Sequence, residues 1–241
     1  MTKDKIPQLI AQAKEIMTYS SDPIHDLEHV RCVVNNVKII SKEMNIGKKD
    51  TETLILAAWW HDVSRTLTKN PQTVWMTLLD DIISSLMLWR QATKIKLFGG
   101  TAGMASKLIL CKSVGIGKVL TKIFLKKKTR ILLDILQDAD NLEMLHTNRL
   151  KKVLEMIKHS KMTLTAYKFL SWYTIRLKSI ELKTKKAKQL FEKIIRQMID
   201  WLRQPEILKW HLEKFGHKWI KKMEQKIEGL LHHITLQNLK I

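Results

Sequence analysis

Glycine and proline are scarce in this chain of 241 residues, with eight and four occurrences, which leaves little material for the turns of a sheet protein and favours long helices. Cysteine is scarcer. Cys32 and Cys111 stand far apart without CxxC spacing, a pattern of a reducing compartment more than of a disulfide framework; both read as small core residues. No apolar run approaches the ~20 residues of a membrane span. The first segment, MTKDKIPQLIAQAKEIM, interleaves charges with its apolar positions and so lacks the form of a secretion signal. The expectation is a cytoplasmic protein with no transmembrane segment.

Acidic residues are outnumbered. Asp and Glu total 23 against 43 Lys and Arg, for a formal charge of +20, which favours anionic partners such as nucleotides, nucleic acid or an acidic membrane surface. Lysine-rich, solvated helix faces explain the same excess equally well.

Apolar residues, by contrast, make up 45% of the chain, enough for a sizeable core. They recur with a helical period, and no alternating run with hairpin chemistry competes. The chain therefore reads as all-α, with helices over 3–19, 26–44, 51–63, 72–92, 101–113, 116–125, 129–145, 148–159, 164–178, 184–203 and 206–235. Asp22-Pro23, Gly47, an Asp50-Thr51-Glu52 cap, Asn70-Pro71, Gly99-Gly100, Gly115 and Gln204-Pro205 supply the breaks. The organisation expected is one helical bundle over 1–204 and an amphipathic helical extension over 205–241.

Three segments carry metal-competent side chains on apolar helices. In DPIHDLEHVRCVVNNVKII, His25 and His29 share a helix face, and helical steps from His29 meet Val33, Val37 and Ile40. In DTETLILAAWWHDVSR, the apolar run Leu54 to Trp60 delivers His61 and Asp62 side by side. A carboxylate there is costly to bury unless it is paired or bound to a cation. In TRILLDILQDADNLEML, Asp140 lies on one stripe with Leu133, Leu136 and Met144, whereas Asp138 falls on a more polar face. Two imidazoles and two carboxylates suit Mn, Fe, Co, Ni or Zn better than Ca.

His29 in HVRCV, the pair His61-Asp62 after an apolar helix, and Asp140 in DADNL resemble the HD superfamily of metal-dependent phosphohydrolases. With the later stretch FLSWYTIRLKSIELKTKKAKQLFEKIIRQMIDWL, the likeness is to the small bacterial HD-domain hydrolases over roughly residues 8–204. The resemblance implies an HD-like bundle in which His29, His61, Asp62 and Asp140 bind one divalent metal (Mn, Co, Ni, Fe, Zn or Mg), with Asp62 also placed to contact the attacking water. Some members of the superfamily have two further histidines between the HD pair and the last aspartate and bind two metals. This chain has no histidine between His61 and His146, so one metal is expected.

Around that set, Arg65 is placed to reach back from the end of its helix and stabilise charge on phosphate oxygens. His25 is a candidate phosphate-contacting or supporting group, with Asp26 either orienting it or capping the helix. Arg31 points elsewhere and suits a structural ion pair. Lys118, Lys122 and the run LKKKTR at 125–130 either extend a positive field towards the site or form a solvated face. Trp210, Trp219, Met223, Ile227, Leu230 and Ile234 form a stripe suited to packing on the domain or on a second copy in a homo-oligomer, and secondarily to a membrane surface or nucleic acid. His232-His233 reads as surface and the eight tryptophans as core. SVGIGK lacks the spacing of a phosphate-binding loop.

The expected function is single-metal hydrolysis of a phosphate ester or anhydride in a small anionic substrate, a nucleotide above all. The alternative is a non-catalytic module that binds nucleic acid through its basic surface.

Overall fold

Apolar residues recurring at helical spacing, with no alternating run among them, resolve into helices. A computed structural model describes residues 5–67, 74–113, 116–158, 164–165, 167–168 and 181–239. Among the described residues there is no strand, and the all-α expectation holds. The chain divides into two compact units, Met1–Asp140 and Asn141–Ile241.

The first unit contains α1 (Lys5–Met17), α2 (Leu27–Glu43), α3 (Lys48–Trp60), a 3-10 turn (Val63–Leu67), α4 (Val74–Lys94), α5 (Gly100–Lys112), α6 (Gly117–Phe124), a second 3-10 turn (Lys127–Thr129) and most of α7 (Arg130–Glu143). Helix α3 is apolar on nearly every side, and such a helix must be enclosed. It packs against α1, α2 and α5, with Leu54, Leu56, Ala57, Ala58 and Trp60 buried. The Trp60 indole N–H, costly to bury unpaired, donates to the Leu9 carbonyl at 3.0 Å.

The second unit contains α8 (Thr147–Lys158), α9 (Lys185–Leu202) and α10 (Pro205–Leu239). The Thr184 hydroxyl caps α9 by accepting from the Ala187 N–H. Ala187, Phe191, Ile195, Met198 and Trp201 form its buried stripe, which lies against α10, where Met223, Ile227, Leu230 and Ile234 are buried in turn. The stripe expected on residues 206–241 is therefore used largely for packing within this unit.

Several expectations need correction. Helix α3 starts at Lys48 behind Gly47, ahead of the Asp50-Thr51-Glu52 cap; Thr51 instead donates its hydroxyl to the Ile46 carbonyl. The last helix is interrupted at Gly216, whose φ of 78° and ψ of 165° lie outside the range a side chain tolerates. Trp59, Trp60 and Trp201 are core residues, but Trp89 is exposed and Trp210 and Trp219 are half-buried; the Trp75 and Trp172 side chains lie outside the described residues. Cys111 is buried and Cys32 only half-buried. Most of the helix expected over 164–178 also lies outside the described residues.

Candidate metal centre

Helix α2 begins with Asp26 as its N-cap, whose carboxylate accepts from the His29 N–H at 3.0 Å. That cap fixes the first turn, and with Val33, Val37 and Ile40 buried on the same side, the His29 ring is held in the interior. Helix α3 ends where its apolar run ends, and His61 stands at its C-cap. His61 is fully buried, and its Nδ1–H donates to the Ala58 carbonyl at 2.8 Å. In the neutral ring this leaves the Nε2 lone pair facing inward.

The Nε2 atoms of His29 and His61 lie 3.3 Å apart. Asp62 Oδ2 is 3.1 Å from the first and 3.3 Å from the second, and Asp140 Oδ1 is 3.4 and 3.7 Å from them. The buried Asp62 Oδ2 has no aligned hydrogen-bond donor. Ligand atoms bound at ~2.1 Å stand about 3.0 Å apart around an octahedral ion and about 3.4 Å apart around a tetrahedral one. Electron-rich atoms converge this closely around a shared cation or proton, not around nothing. His29, His61 and Asp140 thus form a group that could hold a metal ion, and Asp62 stands beside both imidazoles.

Charge is arranged to match. Burial alone disfavours the His61 imidazolium, but the Asp62 and Asp140 carboxylates outweigh it and push the pKa up to about 9. Burial also opposes ionisation of Asp62 and Asp140, yet His61 holds the first, and Lys112 the second, well below the usual carboxylate range. Asp140 is the member of the set that retains solvent contact, with a side chain 22% exposed.

The sequence did not point to the second ring of charge. Lys112, at the end of α5, places its Nζ 2.9 Å from Asp140 Oδ2 and 3.3 Å from Asp81 Oδ1 on α4. Burial would lower the Lys112 pKa, but Asp140, Asp81 and Asp62 reverse the sign and raise it. Asp81 is shifted upward, by burial first and then by the Asp62 charge against the opposing Lys112. Arg65 is not solvated: it is buried, and its guanidinium Nη2 pairs with Asp80 Oδ2. Burial pushes Asp80 up to about 6 despite that pairing, with Asp62 and Asp81 adding to the rise. Among the described residues, Asp22, Asp62, Asp80, Asp81 and Asp140 stand against two permanently cationic side chains, Arg65 and Lys112, a surplus of negative charge that suits a divalent cation.

His25 lies in the turn before α2, outside the helix it was expected to share with His29. Its ring still meets that of His29 edge-on at 5.6 Å. Asp22, not Asp26, orients it, through a 2.8 Å contact from Nδ1 to Asp22 Oδ2. Burial raises the Asp22 pKa, and His25 and Arg65 together bring it below its ordinary value. Asp138, expected on a more polar face than Asp140, is fully buried, and α7 also buries Leu132, Leu133, Ile135, Leu136, Ala139 and Leu142. Lys118, Lys122, Lys126, Lys127, Lys128 and Arg31 are exposed, and the ammonium at the cluster is that of Lys112.

No protein-family profile, curated protein or solved structure matches the chain.

Proposed function

We propose that this protein is a metal-dependent phosphohydrolase acting on a small anionic phosphate ester or anhydride, a nucleotide being the leading class. The observation that carries the proposal is the convergence of His29 Nε2, His61 Nε2, Asp62 Oδ2 and Asp140 Oδ1 within 3.1 to 3.7 Å of the imidazole nitrogens. These four side chains would hold one divalent cation. A cation so held lowers the pKa of a bound water from ~15.7 towards ~7 and polarises a phosphoryl oxygen.

The chain's own groups divide the remaining work. The Ala58 carbonyl, accepting from Nδ1–H, keeps His61 Nε2 turned inward, where a bound cation would take the place of its proton. Asp62, whose Oδ2 faces both imidazoles, would also contact the attacking water held at the same cation. Lys112 secures Asp140 through the oxygen that does not face the imidazoles. His25, with Asp22 on Nδ1 and its ring beside that of His29, would donate to a phosphate oxygen of the substrate. Arg65 supports this region indirectly, through Asp80 and through its charge on Asp22.

A second reading is favoured by one observation: Lys112 already supplies a fixed cation to Asp140, and with the charge of +20 the chain would then be a non-catalytic module binding nucleic acid. The two separate cleanly. Purified protein should carry about one Mn, Co, Ni, Fe or Zn per chain and release phosphate or pyrophosphate from a nucleotide panel, and Asp62→Ala should abolish the release. Metal-free protein that hydrolyses nothing, and binds oligonucleotides with an affinity falling steeply in salt, would establish the second reading instead.

A further inference from the structure

Helix α6 is seated the wrong way round for a core helix. Its inward positions, four apart, are Gly117, Thr121 and then Leu125, which is buried. Gly117 fits so closely beneath α5 that a Cβ there would lie 2.5 Å from the Cys111 carbonyl oxygen, and Thr121 donates its hydroxyl back to the Gly117 carbonyl. The opposite face is aliphatic and open. Ile116, Val119 and Ile123, spaced three and four apart, are 47%, 58% and 66% exposed, and Phe124 beside them is 42% exposed.

The charge around this stripe has one sign. Lys118 and Lys122 form a parallel row on the helix, and Lys126, Lys127 and Lys128 follow it, all exposed. No Asp or Glu occurs anywhere between Asp81 and Asp134, a span that holds eleven lysines and arginines. Isolated exposed apolar residues are ordinary, but a continuous stripe on a helix whose inner face is small and polar is not.

We propose that α6 and the lysines that follow it form a docking surface for an anionic lipid bilayer, with Ile116, Val119, Ile123 and Phe124 entering the headgroup boundary and the lysines meeting acidic headgroups. Aliphatic side chains flanked by ammonium groups match that boundary. Nucleic acid would call for aromatic or arginine stacking, and a second copy of so basic a face would repel the first. The surface shares no residue with the metal cluster, so the proposal stands whether or not the chain hydrolyses phosphate.

The test is co-sedimentation of the full chain with vesicles of phosphatidylcholine alone and of equal parts phosphatidylcholine and phosphatidylglycerol. Binding is expected to the acidic vesicles only. Val119→Ser and Ile123→Ser should each weaken it by about tenfold, and replacing Lys126, Lys127 and Lys128 by Gln by roughly a hundredfold. All these positions are exposed, so the melting profiles should match the parent's. Acidic-vesicle binding unchanged by the two serine substitutions would overturn the proposal, as would a preference for single-stranded oligonucleotides that depends on the lysines alone. So would a dimer dissolved by Ile123→Ser in a chain that binds no vesicle.

Discussion

Lys112 and Asp140 share a carboxylate with the histidines: Asp140 turns Oδ1 towards His29 and His61 and gives Oδ2 to the Lys112 ammonium at 2.9 Å. The lysine also faces Asp81, so removing its charge leaves two carboxylates poorly compensated. Breaking a buried pair from one side typically costs about 3–5 kcal/mol. Lys112→Met is therefore expected to lose about 3 kcal/mol in unfolding experiments with chelator present. Saturating Mn, at about a hundred times its Kd, should return some 2.7 kcal/mol. A variant as stable as the parent in chelator would show that the pair contributes nothing.

Much of this was legible beforehand because it is local. The helices follow from apolar period and caps, and His29, His61, Asp62 and Asp140 each announce themselves as polar residues on apolar faces. Lys112 obeys the same rule: Ala105, Leu108, Ile109 and Lys112 fall on one face of α5, and the first three are buried. Asp80 and Asp81 are likewise a pair of carboxylates inside the apolar stretch LLDDIISSL. What a single segment cannot reveal is pairing across helices. Arg65 meets Asp80 on α4 and Asp140 meets Lys112 on α5, and neither pairing is written in the segment that carries it.

His25 is predicted to act on substrate, not on the metal. It touches Asp22 and the edge of His29 but is not among the atoms that converge. In His25→Gln, metal content should stay at the parent level while KM for a phosphate substrate rises about tenfold, the loss of one hydrogen bond to a charged group. Asp22→Asn should move KM in the same direction by less. Loss of metal from His25→Gln would make the residue a ligand and refute this assignment.

Gly117 should be intolerant of even the smallest side chain. With the Cys111 carbonyl oxygen 2.5 Å from the site a Cβ would occupy, the start of α6 must shift or the end of α5 must yield. Overpacking of this kind costs about 1–3 kcal/mol, so Gly117→Ala should lower the thermal midpoint measurably. Gly229→Ala, inside α10, is the control, since nothing lies within 4 Å of its Cβ position and alanine suits a helix interior better than glycine, so it should not destabilise. Equal effects of the two substitutions would count against the close seating of α6.

The pH dependence of stability should change sign with metal. Among the side chains alone, Asp62 and Asp140 overcome the effect of burial and raise His61 from 6.5 to about 9. A group raised on folding contributes stability that is complete below its unfolded value and is lost as pH climbs through its folded value. In chelator, the unfolding free energy should therefore fall between pH 6.5 and 9, by about 3 kcal/mol at most. His61→Asn should show a smaller fall across that window, because one imidazole that titrates there is gone. With Mn present the slope should reverse, since a metal binds the neutral ring and competes with the proton for the same lone pair. Urea unfolding at a series of pH values, with chelator and with Mn, measures both slopes. A chelated parent whose stability does not change from pH 6.5 to 9 would mean that the carboxylates do not hold a proton at His61, and the case for a cation at their meeting point would weaken with it.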